Sequence, residues 1–564
     1  MRKIRRLRRQ LDDRGYAMIL TALLILPMMA FTGLGVDVGS WYATANRMQR
    51  AADAAALAAV VWMPDEGRAE TAALVAARRN GYDDADSDID VTLVPVGSQR
   101  VRVTIYDATV DVYFSSVFLD NVDVERQATA EYVRSIPMGS PTYQLANDPE
   151  RWNDPTYERP FYWLNIAGTN TNKSNGDRHT AGNCTGFSGC SGSTNLDYSE
   201  SGYFYRLTVD DIGAGPLNVQ AYDPAFFYTG DTCNTDRLLD STSGSFAGEV
   251  STLQAQGHTD AATRFVRGNT EWCPGDQALN GADIETTYVV RAPDDTPFEN
   301  LDNPIVCGIT FDAYDEPVYP LLDQSDGYKD GAIGSEAMAF DEHFRQWANL
   351  CTIPAGSVEL GDYLVQVSTA ADQSTPLTLG SHDPTVTTGG HNRYAMRAGF
   401  GDAALPGFST GISFFADGRL PIYVNQSTAA ASTVFYLARV TPEFAGQILQ
   451  LQFYDVADGS NSDLTIVSPP DQTGDPLGDC TFIRDASPPE VIEPGNCTIT
   501  GLNSANYNGR LVSVQIPIPA NYSCSAGNEF GCWFKVDLDF NGGTPRDTTT
   551  WSAQVVGDPV RLVE

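Results

Sequence analysis

No cysteine precedes Cys184, no charged side chain lies between Gly15 and Val36, and basic residues are scarce, with 36 Lys and Arg against 72 Asp and Glu in 564 residues. A net charge of −36 gives a soluble surface that repels nucleic acid, so no nucleic-acid partner is expected. The five histidines, His179, His258, His343, His382 and His391, form no H-E-x-x-H pair, which removes metalloprotease chemistry and leaves them as expected surface or loop residues. C-x-x-C is absent as well, so zinc-ribbon or thioredoxin-type chemistry has no motif. Gly407-Phe408-Ser409-Thr410-Gly411 has the letters of a nucleophile elbow, but strand-like Ile412-Ser413-Phe414-Phe415 follows where the elbow requires a helix. With so many carboxylates, no pair singles out a glycosidase site. The chain is not expected to be an enzyme, and no cofactor is required.

What is present begins at the N-terminus. The 22 uncharged residues from Gly15 to Val36 would span about 33 Å as a helix, enough for a bilayer core, with Pro27 as a point of bending. Residues 1–14 carry seven basic and two acidic groups, which should remain cytoplasmic and send everything after Asp37 outward. The rest of the chain then carries about −41 of the net charge. A cleaved secretory signal is the alternative, since Ala43-Thr44-Ala45 resembles a cleavage site. The apolar run is too long for a signal core, however, and that site falls within an expected helix. The chain is therefore expected in the cytoplasmic (inner) membrane as a single-pass, N-in protein.

Arg14-Gly15, the apolar segment with Pro27, Gly35-x-Asp37-x-Gly39, Tyr42 and Met48-Gln49-x-Ala51-Ala52-Asp53-Ala54-Ala55-Ala56-Leu57-Ala58 together resemble the N-terminal region of tight-adherence (Tad, Flp-type) pilus-assembly proteins of the TadE/TadG kind. The resemblance covers residues 1–135. It implies a pilus-assembly platform or pilin subunits as partners, besides the membrane itself. Relatives processed by the prepilin peptidase carry glutamate five residues after the cleavage glycine, where this chain has Leu20, so an uncleaved anchor is expected. Some relatives carry a von Willebrand A metal motif, D-x-S-x-S. Asp197-Tyr198-Ser199-Glu200-Ser201 has its letters, but a Gly/Ser/Asn-rich loop precedes it instead of the apolar strand that motif needs.

The fold class read from these patterns is α+β. A basic segment (1–14) and transmembrane anchor (15–38) lead into a small domain of helix and antiparallel sheet (39–136). Two tandem all-β, jelly-roll-like sandwiches follow, at 137–402 and 403–564. In the small domain, Ala51 to Ala59 offers a narrow helical face for close approach, a second helix runs from Ala69 to Arg79 and stops at Asn80-Gly81, and alternating valines and isoleucines between Ile89 and Val124 mark short strands. The two helices are expected to pack on each other or on a pilus subunit. The tandem repeat is read by self-comparison: Tyr205-Arg206-Leu207-Thr208-Val209 with Tyr436-Leu437-Ala438-Arg439-Val440, Val289-Val290 with Ile466-Val467, Ile353-Pro354-Ala355 with Ile518-Pro519-Ala520, and Tyr394 with Trp551. Turn residues every ten or so positions fit sandwiches. Insertions at 168–195 and 231–284 are expected to carry a variable binding surface.

All ten cysteines lie in the exported part, as disulfides in an oxidising compartment would. Spacing suggests Cys184 with Cys190, Cys233 with Cys273, Cys307 with Cys351, Cys480 with Cys497 and Cys524 with Cys532. Calcium is the ion to expect, on the oxygens of Asp455, Asp458, Asn461 and Asp463, with a solvated acidic turn as the plainer reading. Asp537-x-Asp539-x-Asn541-Gly542 opens like an EF-hand loop but has Thr548 at the twelfth position, so it reads as a strand with one polar face. Asp84-x-Asp86-x-Asp88 reads as a loop. Tyr162, Trp163 and Trp272 could stack on a glycan or fill a core. The functional expectation is a membrane-anchored structural or assembly component of a Tad pilus system, and the alternative is a tethered or secreted adhesin or carbohydrate binder.

Overall fold

A computed structural model describes residues 2–63, 66–96, 100–117, 121–132, 135–148, 151, 155, 157–223, 286–294, 300–311, 347–369, 390–401, 411–425, 432–456, 458, 460–492, 496–542, 546–556 and 560–563. The chain forms two compact units. One comprises Met1–Arg134 with Gly557–Glu564, and the other the bulk of 135–556.

In the first unit α1 runs from Arg2 to Val60 without interruption, Pro27 included. α2 spans Glu66–Arg79 and ends where the sequence indicated, with Gly81 at φ +94° and the Tyr82 amide bonded back to the Ala77 carbonyl. A left-handed C-terminal residue of this kind favours glycine because it lacks a Cβ. Three strands, β1 (Ile89–Pro95), β2 (Arg100–Val110) and β3 (Val122–Tyr132), form an antiparallel meander. A fourth strand, Val560–Leu562, pairs with β3. Residues that the sequence reading placed at the end of the second repeat thus complete the N-terminal sheet.

The alanine face resolves in favour of packing within the unit. Met48, Ala51, Ala52, Ala55, Ala56 and Ala59 are buried together with Ala69, Ala73 and Ala77 of α2 and with Val101, Val103 and Ile105 of β2. Both helices present alanines at i and i+4 spacing, so their backbones approach closely and the sheet closes over them.

The second unit contains strands β4 (Pro137–Met138), β5 (Gln144–Leu145), β6 (Tyr162–Ala167), β7 (Cys190–Ser191), β8 (Thr194–Asn195), β9 (Tyr203–Val209), β10 (Leu217–Tyr222), β11 (Thr286–Arg291), β12 (Ile305–Phe311), β13 (Trp347–Ile353), β14 (Gly361–Ser368) and β15 (His391–Phe400). It continues with β16 (Ile412–Asp417), β17 (Arg419–Asn425), β18 (Ser432–Arg439), β19 (Ile448–Tyr454), β20 (Ser460–Val467), β21 (Thr481–Arg484), β22 (Glu490–Ile492), β23 (Thr498–Asn503), β24 (Leu511–Pro517), β25 (Trp533–Asp539) and β26 (Arg546–Val555). One large sheet has the order β13-β10-β15-β6-β17-β26-β19-β24-β21-β22, and the other β12-β11-β14-β9-β16-β4-β18-β25-β20-β23.

Numbered 1 to 8 along the chain, β6 and β9 to β15 occupy the orders 1-8-3-6 and 2-7-4-5. β17 to β20 and β23 to β26 repeat both orders. These are two jelly rolls, and each pair of segments matched by self-comparison falls on topologically equivalent strands. One alignment shifts by a residue. Tyr205 is buried while Tyr436 is not, and Phe435 takes its place. A β-bulge between Tyr436 and Ala438 restores the phase, so that Val209 and Val440 both face inward.

The two rolls share their sheets. β6 pairs with β17 through Leu164 and Ile422, and β4 bridges β16 to β18 in the other sheet. The aromatic core crosses the same seam. Tyr162 meets Phe435 at 5.6 Å and Phe435 meets Trp551 at 6.1 Å. Tyr162 and Trp163 are therefore core residues and not available to stack on a glycan; Trp272 lies outside the described residues.

Candidate functional site

α1 changes character along its length. From Met18 to Val38 its large apolar side chains are exposed, Ile19, Leu23, Met28 and Phe31 among them, and the helix is long and apolar enough to cross a membrane. Exposure of apolar side chains all round a helix fits a lipid environment, because in water each would lose about 1.5–3 kcal/mol of available burial. From Met48 onward the small side chains are buried against protein.

Asp37 stands at the C-terminal end of the exposed stretch. It is buried, and its carboxylate accepts the backbone amides of Tyr113 at 3.0 Å, Phe114 at 3.0 Å and Ser115 at 2.5 Å. Three convergent amides are what a desolvated carboxylate requires. Gly33 lies beneath the same turn, since a Cβ there would come within 2.8 Å of Phe114 Cβ. Gln49 donates to the Gln127 carbonyl of β3 at 3.0 Å and to Asp53 at 2.9 Å. Within the motif that suggested pilus assembly, Asp37 and Gln49 hold the sheet to the helix while Met48 and the alanines supply core. The sequence marked Asp37 as a motif letter but gave no sign of its partner, 76 residues away.

The structure pairs Cys184–Cys190, Cys307–Cys351, Cys480–Cys497 and Cys524–Cys532, with Cα separations of 5.5, 5.6, 4.9 and 5.3 Å. Cys307–Cys351 staples edge strands of the two sheets, β12 to β13. Cys233 and Cys273 lie outside the described residues, as do Gly407 to Thr410 and His258, His343 and His382.

The expected calcium ligands are not all brought to one place. Asp455, at φ +61°, is buried after β19; one oxygen accepts the Gly509 amide and the other has no hydrogen bond. Burial and the neighbouring Asp458 push its carboxyl well above the usual range. Asp458 accepts from the Thr548 amide at 3.1 Å, and its own amide donates to Asp547. Asp463 instead accepts from Gly501 on β23, and Asn461 is joined through its carbonyl to Asn541. Among the described residues no group of three or more His, Cys, Asp or Glu is arranged to hold a metal. Asp537 and Asp539 alternate with buried Val536 and Leu538 on β25, the strand with one polar face.

Asp197, first letter of the D-x-S-x-S string, is engaged otherwise. Lys173 Nζ reaches it at 2.6 Å and Arg178 Nε at 3.1 Å. Burial opposes its ionisation, but hydrogen bonds from Arg178 and Lys173 override this and hold its pKa at about 2. The 168–195 insertion beside it, expected to carry a variable binding surface, is clasped onto the second jelly roll. Arg178 bonds Gln452 at 3.1 Å, the Ser188 amide bonds the Gly509 carbonyl at 3.1 Å, and Thr550 bonds the Gly176 carbonyl at 2.8 Å. Gly176, at φ +93°, is required there, since a Cβ would lie 2.1 Å from the Thr548 carbonyl oxygen. Of the histidines expected at the surface or in loops, His179 lies in a loop but is buried, and His391 is buried on β15. Burial, reinforced by Arg419, lowers His179 to about 3 and keeps it neutral at pH 7.

A cavity of about 360 Å³ opens on the jelly-roll unit, lined by Tyr143, Tyr157, Tyr436 and Phe530 with Arg151 and Glu158. Arg151 lies 4.7 Å over the Tyr157 ring, and Glu158 accepts from Tyr436 and pairs with Lys535. Aromatic walls with a few fixed charges can hold a small ligand.

No curated protein matches the chain. Its N-terminal segment does find a counterpart: residues 15–62, which contain the exposed apolar stretch, Asp37 and the alanine face, match the Tad family of Flp pilus-assembly TadE/G-like proteins.

Proposed function

We propose that the chain is a non-enzymatic, membrane-anchored component of a Tad (Flp-type) pilus system, supporting pilus biogenesis or surface adhesion. The carrying observation is the coincidence, in one helix, of the family match with a lipid-compatible apolar stretch and a buried alanine face. The basic residues 1–14 favour an N-in orientation in the inner membrane, and the disulfides favour an extracytoplasmic place for the jelly rolls. The partners proposed are the assembly platform or pilin subunits. Since the alanine face is occupied within the unit, contact with them falls to the lipid-facing stretch or to outer surfaces. Calcium remains a proposal for Asp455, Asp458, Asn461 and Asp463, to be checked by melting with and without chelator; an unchanged melting temperature rejects it.

A tethered adhesin or carbohydrate binder is the second reading, favoured by the aromatic cavity at Tyr143 and Tyr157. Deleting the gene and imaging the cells separates the two. Loss of pili supports assembly, and normal pili with lost attachment supports the adhesin.

A further inference from the structure

Tyr113 and Phe114 are 60% and 61% exposed, yet the turn that carries them is fixed in place. Three successive amides are bound by Asp37, and Phe114 lies against Gly33. Gly33 belongs to the uncharged run Gly15–Val36, so Phe114 sits at a helix level inside that run and not beyond it. Around it on the helix, Leu34, Val36 and Val38 are also exposed, and Tyr42 lies about 13 Å further along the axis at roughly 1.5 Å per residue from Gly33. An aromatic residue at that distance is typical of the headgroup zone.

Backbone amides cannot enter the edge of a bilayer unsatisfied, because each would lose several kcal/mol of hydration. Here Asp37 meets that requirement for the turn, and the turn meets it for the Asp37 carboxylate. We propose that the Tyr113–Phe114 turn is a second membrane-contacting element, which inserts its two rings among the glycerol and upper acyl region of the lipid on the outward side of the span. Asp37 is its positioning residue. The inference rests on the reading that residues 15–36 cross the membrane. It adds that the small domain is seated on the bilayer at two points, which fixes the domain against the lipid surface as a single helix cannot. Continuity selects lipid as the occupant: the two rings extend the same exposed apolar surface that the helix presents on either side of Gly33.

The full-length chain, reconstituted into phosphatidylcholine and phosphatidylglycerol vesicles containing a phospholipid with a photoreactive diazirine on its acyl chain, tests this by mass-spectrometric mapping of labelled residues. Label is expected on residues 18–36 and on Tyr113 and Phe114. None is expected on Val94 or Val491, which are 54% and 57% exposed on other strands. Label on 18–36 without label on Tyr113 or Phe114 overturns the proposal and leaves the anchor intact, whereas absence of both overturns the anchor with it. In Asp37→Ala, label at Tyr113 and Phe114 should be lost while label on 18–36 persists; undiminished label at the turn would remove the positioning role. Tyr113→Ser with Phe114→Ser provides a variant that keeps Asp37 and its amides, and it should lose label only at the turn.

Discussion

The two halves of α1 solve the same problem in opposite ways. Between Met18 and Val38 the helix carries large side chains and leaves them exposed, while between Met48 and Val60 it carries small ones and buries them. Size follows the neighbour. On the proposed reading the exposed half faces fluid lipid, which adapts to any side-chain shape, so Leu, Ile, Met and Phe maximise apolar surface there. A second helix is rigid, and alanine lets its backbone come near. A uniform helical backbone therefore does not imply a uniform function, and the change of partner occurs near Asp37, where the β2–β3 turn is fastened.

The contrast breaks first at the exposed half. Leu24→Arg combined with Ile25→Arg costs about 2.5–3.5 kcal/mol per residue for membrane insertion, and the protein should then be released by alkaline extraction; retention would mean that lipid is not the neighbour. At the buried half, Ala55→Leu overpacks the interface with α2 and should destabilise the N-terminal unit by about 1–3 kcal/mol, read as faster amide exchange in α2 and β2 with membrane retention unchanged. Gln49→Ala removes the tie to β3 and should cost about 1 kcal/mol by the same measurement. The smallest effect is expected from Leu20→Ala, within about 0.5 kcal/mol for the folded domain, and a larger loss would show that the exposed half packs on protein.

Acid sharpens the comparison from the other unit. His179 is neutral when folded, at about 3, and titrates near 6.5 when unfolded. Its contribution is complete above 6.5 and is lost as pH falls toward 3. Asp197 continues the loss from 3.8 down to about 2. The melting temperature of the jelly-roll unit should fall across this range, and His179→Gln should flatten the upper part of the decline. An identical decline in that variant would place the acid-sensitive group elsewhere.

Much of this architecture was legible because it depends on local pattern. Charge-free length marked the apolar helix, i to i+4 alanines its packing face, Asn80-Gly81 the stop of α2, and alternation with turn residues the jelly-roll strands. Four of the disulfides followed from spacing, since Cys184–Cys190 and Cys524–Cys532 close short loops and the other two occupy related places in the repeat. What the 168–195 insertion packs on was not legible, because Gly, Asn and Ser signal a loop without saying what the loop lies on. Lys173 and Asp197 are ordinary surface residues by composition; in the fold Lys173 is buried over the Tyr454 ring of the second jelly roll and pairs with a half-buried Asp197. The oxygen ligands spaced along 455–463 read as one turn from sequence; in the fold Asp455 follows β19 while Asn461 and Asp463 lie on β20 of the other large sheet.

The order of apolar, small and charged residues along the chain by itself determined where a membrane-length helix, an alanine seam and two β-repeats would occur, because each depends on neighbours a few positions apart. Only the tertiary structure decided what those surfaces meet. Contacts between residues dozens or hundreds of positions apart, Asp37 with Tyr113 and Arg178 with Gln452 among them, arise from chain crossings that no local period encodes.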